Sequence, residues 1–172
     1  CGIYRKQGKQ IQVLDLHLQD YRDSGGEVFP DIEDILKLKN PVEKFAQLAA
    51  HPHPQAQFLW SVFRDVFHYC AVHLAAIADN ARDVDFAMRW GFGMKQGPFE
   101  LWQEAGWLEV ANMIKEDIDS GKALCKTPLP DWVFKGPVAD AGGVHTAAGS
   151  WNPTSGTFAP VRKLPVYTRQ HF

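Results

Sequence analysis

The stretch from Asp83 to Trp107, DVDFAMRWGFGMKQGPFELWQEAGW, most restricts what this chain can fold into. Asp83 sits where it can cap a short helix from its first turn, and Val84, Ala87 and Met88 then share one face. Gly91 and Gly93 end that helix, because glycine alone takes left-handed dihedrals without a Cβ clash. Pro98 stands where a second helix begins, with its missing N–H costing nothing. Glu100 falls in that first turn, against the positive end of the helix dipole. Gly106 closes the second short helix. Phe92, Phe99, Leu101, Trp102 and Trp107 surround this double corner with apolar area. The pattern predicts a tight aromatic elbow, which is a packing device and not by itself a catalytic one.

On either side of the elbow, apolar periodicity predicts longer helices. Gln55 to Ala78 repeats Leu59, Val62, Phe63, Val66, Phe67, Cys70, Leu74 and Ile77 at three- and four-residue steps, with Phe58, Trp60 and Tyr69 on other faces. A helix apolar nearly all round belongs at the centre of a bundle. Trp107 to Ser120 carries Leu108, Ala111, Ile114 and Ile118 in register and stops at Gly121. Before them, Pro30 to Leu38 predicts a short helix with Ile32, Ile35 and Leu36 on one side. Asn40-Pro41-Val42-Glu43 is a helix start, with Glu43 placed to reach back to the cap and Val42, Phe45 and Leu48 pointing inward. Pro52 and Pro54 stop that helix. Gly2 to Tyr21 reads as one extended strand, followed by a turn at Asp23 to Gly26. After Gly121, glycines and prolines predict a loop-rich tail folded back on the helices with one small hairpin. Its short extended candidates are Trp132-Val133-Phe134, Gly143-Val144-His145 and Phe158 to Val166.

The 172 residues are 45% hydrophobic, enough for one domain with a proper core. With 18 basic and 20 acidic residues the net charge is -2 and no basic run occurs, which argues against a nucleic-acid surface. No apolar run approaches the ~20 residues of a membrane span. The three cysteines, Cys1, Cys70 and Cys125, lack CxxC spacing and suit a reducing, cytoplasmic setting. The first residue is Cys1 and the polar TRQHF end does not resemble a finished terminus, so the chain is expected to be a piece of a longer protein.

Within the elbow, Asp85, Ala87, Met88, Arg89, Gly91, Gly93, Gly97, Pro98, Phe99, Glu100 and Leu101 form the run Asp-x-Ala-Met-(+)-x-Gly-x-Gly-x-x-x-Gly-Pro-Phe-Glu-Leu. This run resembles the helical C-terminal domain of L-3-hydroxyacyl-CoA dehydrogenases of fatty-acid β-oxidation. The likeness is greatest to long bacterial members that also carry an enoyl-CoA hydratase-like part, and it is firmest from Gln57 to Trp107. It implies a mainly α fold, a helical bundle like the C-terminal domain of 6-phosphogluconate dehydrogenase, with a short N-terminal strand and a loop and hairpin tail. Residues 1–29 would complete a preceding repeat, on the strength of Gly2-Ile3-Tyr4-Arg5-Lys6. Residues 30–127 would form the helical domain and 128–172 the tail.

The resemblance also places chemistry elsewhere. NAD and the His–Glu pair that takes the substrate proton belong to a separate Rossmann domain in that family. Here the one near miss to a dinucleotide fingerprint, Gly91-Phe92-Gly93, follows a helix, which is the wrong context. No cofactor is expected on this chain. The family's helical domain supplies one Asn near the substrate, at a position that falls on Trp60, followed by Ser61. An indole cannot copy an amide's acceptor and two donors. The family's usual Asp after the Gly-Pro-Phe-Glu-Leu run is Gln103. Both departures suggest a second, structural copy of the domain.

Other candidates have simpler roles. Glu100 reads as a helix-start carboxylate rather than a catalytic acid. Arg89, a candidate for a coenzyme A phosphate, more simply pairs with a carboxylate or stacks on Trp90. Of the seven histidines, His51 and His53 lie in a proline-broken loop, and no metal motif accompanies any of them. The serines lack a nucleophile-elbow context. Cys70 falls on the apolar face of the long helix.

The expected function is that of a helical C-terminal domain of an NAD-dependent 3-hydroxyacyl-CoA dehydrogenase, an oxidoreductase acting on CH–OH. It would shape the acyl-CoA cleft, contact the other domains of the parent enzyme, and be inactive when isolated. A homodimer contact is compatible with it. The alternative is a dimerisation or scaffold module that binds no ligand. An acyl-CoA carrier ranks last, because the sequence shows no basic cluster for the coenzyme's phosphates.

Overall fold

A computed structural model describes residues 2–161. Among them are seven α-helices and two three-stranded antiparallel sheets, so the fold is mainly α. The chain opens as a meander of β1 (Tyr4–Gln7), β2 (Gln10–Asp15) and β3 (Asp20–Asp23). This corrects the expectation of a single strand. Gly8, at φ 64°, turns the first hairpin, and Asp15 turns the second by accepting the N–H groups of His17 and Leu18. Two tight turns inside one alternating run are easily missed, because none of its apolar residues is fully buried and they give no buried stripe.

Helices α1 (Pro30–Lys37) and α2 (Pro41–Ala50) begin at prolines. Asn40 caps α2 by accepting the N–H of Val42, while Glu43 binds Gln47 instead of reaching back. Val42 and Leu36 face solvent, and Phe45 and Leu48 carry the inward face. The central helix α3 (Pro54–Ile77) is followed by α4 (Ala81–Phe92), α5 (Pro98–Glu104) and α6 (Trp107–Asp119). Asn80 caps α4, and Asp83 lies in its first turn. Gly91 stays inside α4, which ends at left-handed Gly93. Gly106, at φ 92°, forms the corner between α5 and α6.

The long helix buries one face, not all of them. Trp60, Arg64, Phe67, Cys70, Ala71 and Leu74 point into the bundle, whereas Phe58, Val62, Tyr69 and Ile77 are exposed. Trp60 therefore belongs to the inner face that periodicity assigned to Val62 and Ile77. Likewise α6 turns Trp107, Val110, Ala111 and Ile114 inward and leaves Leu108 at the surface.

The tail folds back into the same core. Trp132-Val133-Phe134 is a 3-10 turn over Asp131–Val133, not a strand. Then come α7 (Pro137–Ala141), β4 (His145–Thr146), β5 (Gly149–Asn152) and β6 (Thr157–Ala159). The sheet has order β4-β5-β6, one strand more than a hairpin. Val133, Val138, Val144 and Trp151 join the core cluster. The expected strand to Val166 is described only as far as residue 161, and Cys1, Pro165 and the TRQHF end lie outside the described residues.

Aromatic rings run through the interior in near-continuous contact. Phe45 meets Phe67, Phe67 stacks on Trp102 at 5.6 Å, and Trp102 stacks on Trp107 at 4.2 Å. Trp107 continues to Trp132, and Trp132 to Trp151. Each buried indole in the middle of this column has its polar atom satisfied, Trp102 by the Trp107 carbonyl and Trp107 by the Val133 carbonyl, both at 2.9 Å.

Candidate functional site

The elbow motif is built around Asp85, which is fully buried on α4. Its Oδ1 accepts the Phe99 N–H at 2.8 Å, one of the free donors at the start of α5. Its Oδ2 lies 2.6 Å from His145 Nε2, at the start of β4. Gly97 passes so close that an added Cβ would lie 2.2 Å from Asp85 Cβ. Its φ of -77° is open to any residue, so glycine stands here for space. Glu100 closes the same turn, accepting the Gly97 N–H at 2.8 Å and the Arg89 guanidinium at 3.1 Å. Burial pushes the Asp85 carboxyl up from its ordinary range, and His145 and the Phe99 N–H partly oppose that.

His145 is fixed by its backbone as well. The Gln103 amide accepts the His145 N–H at 2.9 Å and donates to the His145 carbonyl at 3.0 Å. A carboxylate at that position could accept but not donate, so the clamp needs the amide of glutamine. Ser150 Oγ on β5 accepts the Arg82 N–H at 2.9 Å, fastening the start of α4 to the tail sheet. The result is a cleft of about 330 Å³ lined by Arg82, Phe86, Glu100, Gln103, Glu104 and His145.

Of the residues singled out from sequence, Asp85, Gly97, Pro98, Phe99, Glu100 and Arg89 are brought together here. Gly91 and Gly93 lie at the exposed end of α4, where Trp90 and Phe92 are each 78% exposed. Phe92 thus stands outside the elbow's apolar interior. Trp90 stacks on Phe86 at 4.8 Å, and Arg89 lies 5.9 Å over that same ring. Trp60 is elsewhere: it is 2% exposed and donates its indole N–H to Asp117 at 2.7 Å. Ser61 binds the Phe58 carbonyl of its own helix. Asp117 also receives Arg64 at 3.0 Å, and Arg64 pairs with its neighbour Asp65, so Trp60 and Arg64 together tie α3 to α6. Burial works against the Arg64 charge, and the Asp65 and Asp117 carboxylates more than offset it. His145 and Arg82 escaped the sequence reading. Both belong to segments without a recognisable motif, and only the fold brings them to the elbow.

Two other features lie outside the cleft. A groove of about 830 Å³ runs between α3 and α4 over Val66, Tyr69, Cys70, Val84 and Met88. Burial pushes the Cys70 thiol up to about 12, while the Thr127 hydroxyl and N–H hold exposed Cys125 below the usual thiol range.

Fold and site together describe a mainly α domain whose glycine-proline elbow is anchored by one buried aspartate. Over 115 residues, 67% of its length, the chain is 31% identical to a protein of Bacillus subtilis (strain 168) named "Probable 3-hydroxyacyl-CoA dehydrogenase". The match covers 15% of that relative's length. It supports a relationship to the 3-hydroxyacyl-CoA dehydrogenases. No family model matches the chain, and no solved structure does. No helix among the described residues is long and apolar enough to cross a membrane.

Proposed function

We propose that the chain is a helical C-terminal domain of an NAD-dependent 3-hydroxyacyl-CoA dehydrogenase of fatty-acid β-oxidation, with a bundle of the 6-phosphogluconate dehydrogenase type. It walls the acyl-CoA cleft and carries interdomain contacts. Hydride transfer to NAD and proton removal from the 3-hydroxyl take place on another domain of the parent enzyme. The similarity to the Bacillus relative carries the reading, because it accompanies a motif whose residues converge on Asp85. A support role fits the chemistry: Asp85 is sealed, Glu100 is bound to Arg89 and Gly97, and Trp60 is committed to Asp117. The test is a chimera in which this chain replaces the matched segment of the Bacillus relative. A folded chimera that oxidises 3-hydroxyacyl-CoA supports the reading, and a folded chimera without activity refutes it.

A second reading has one observation in its favour. The α3–α4 groove and the exposed Trp90 and Phe92 form apolar surface of the kind that partners cover. On that reading the domain is a dimerisation or scaffold module without a ligand. Titration with acyl-CoA separates the two, since only the first expects binding.

A further inference from the structure

We propose that the cleft beside His145 is a binding site for a phosphate monoester on a hydroxylated carbon skeleton, received by Arg82 and His145. The site rests on two side chains outside the elbow motif and does not rest on the dehydrogenase reading, although coenzyme A as its source would agree with that reading. Arg82 lies in the first turn of α4, where the helix dipole repels a cation. Its guanidinium forms no ion pair among the described residues, although it lines the cleft. An anion in the cleft would relieve that repulsion.

His145 supplies the second contact. Its Nε2 is turned to Asp85, and Gln103 holds its backbone on both sides, so the ring has one fixed direction. Its Nδ1 makes no hydrogen bond among the described residues and is not sealed from solvent. With the ring protonated and Asp85 ionised, Nε2–H donates to Asp85 and Nδ1–H is left as a donor for a ligand. In that form the ring would make a charge-assisted anion contact backed by a buried carboxylate.

The acidic residues of the same lining select what else the ligand carries. Glu100 is occupied by Arg89 and Gly97, but Glu104 forms no ion pair among the described residues and lines the same cleft. A bare inorganic anion gains nothing from Glu104, whereas a ligand with hydroxyl groups beside its phosphate can donate to it. The volume of about 330 Å³ suits a sugar phosphate. The ribose 3'-phosphate of coenzyme A and a free sugar phosphate share this chemistry.

The test follows the ring-proton resonances of His145 while the full chain is titrated with ribose phosphate, coenzyme A, dephospho-coenzyme A and inorganic phosphate. Ribose phosphate is expected to shift the His145 signals, and Arg82→Gln to weaken its binding about tenfold or more with an unchanged circular dichroism spectrum. Coenzyme A acting where dephospho-coenzyme A does not supports the site with the coenzyme as source. Ribose phosphate acting while coenzyme A is silent supports it with a free sugar phosphate as source. A His145 ring unmoved by all four ligands overturns the proposal, as does equal binding by the folded Arg82→Gln variant. Neither result bears on the chimera, so the two readings fail separately.

Discussion

At the scale of single residues, Asp85 and Gly97 work as a pair, and both are legible from sequence only through the motif that contains them. Nothing in the periodicity of α4 says that an aspartate should be fully buried. The reason appears once the start of α5 is in place, because a carboxylate is needed to satisfy the Phe99 N–H. Gly97→Ala forces a methyl into Asp85 and is expected to lower stability by on the order of 3 kcal/mol in urea unfolding. A change within experimental error would show that the contact is looser than described. The raised Asp85 carboxyl also has a sign. The folded state holds that proton more tightly than the unfolded state, so its stabilising contribution is complete below the ordinary carboxylate range. It is lost as pH rises through the folded-state titration. Unfolding midpoints across acidic pH should therefore move in favour of Asp85→Asn, relative to the wild type, as pH rises. A constant difference would count against it. Among the thiols, Cys125 should be alkylated in the native protein at neutral pH while Cys70 reacts only after unfolding, as peptide mapping can show.

At the scale of elements, the helices announce themselves and their faces do not. Prolines at the starts of α1, α2, α3 and α5, with glycines at corners, put the boundaries within a residue or two of those expected. The inner face of α3 departs from its apolar stripe because its polar members are buried too. Arg64 and His68 interrupt the apolar stripe, yet Arg64 pairs with Asp65 and Asp117, and His68 Nε2 lies 2.6 Å from the Thr127 carbonyl. A buried pair between helices is invisible to a hydrophobicity pattern. Removing one side of it exposes its role: Arg64→Ala leaves Asp117 without its guanidinium and should cost about 3 kcal/mol or more. A loss no larger than that of an exposed α3 position such as Tyr69→Ala, measured alongside, would contradict the link between α3 and α6.

At the scale of the whole molecule, the tail is part of the domain. The Pro- and Gly-rich sequence after Gly121 predicts a loop-rich tail folded back on the helices, and the tail does fold back; what no local pattern shows is how deeply it enters the core. The Val133 carbonyl accepts the Trp107 indole N–H, and Trp132 and Trp151 continue the aromatic column. These contacts join residues far apart in sequence, which is why no local pattern announces them. A chain truncated after Thr127 is expected to lose its cooperative unfolding transition, and retention of a sharp transition would show that the helices suffice alone. The same architecture frames the central claim, in which these helices and their tail form a support while oxidation occurs on another domain. The most direct measurement is NADH formation by the isolated, folded chain supplied with NAD and a 3-hydroxyacyl-CoA. The account predicts a rate indistinguishable from that without protein. Sustained turnover, abolished by unfolding the chain, would contradict it.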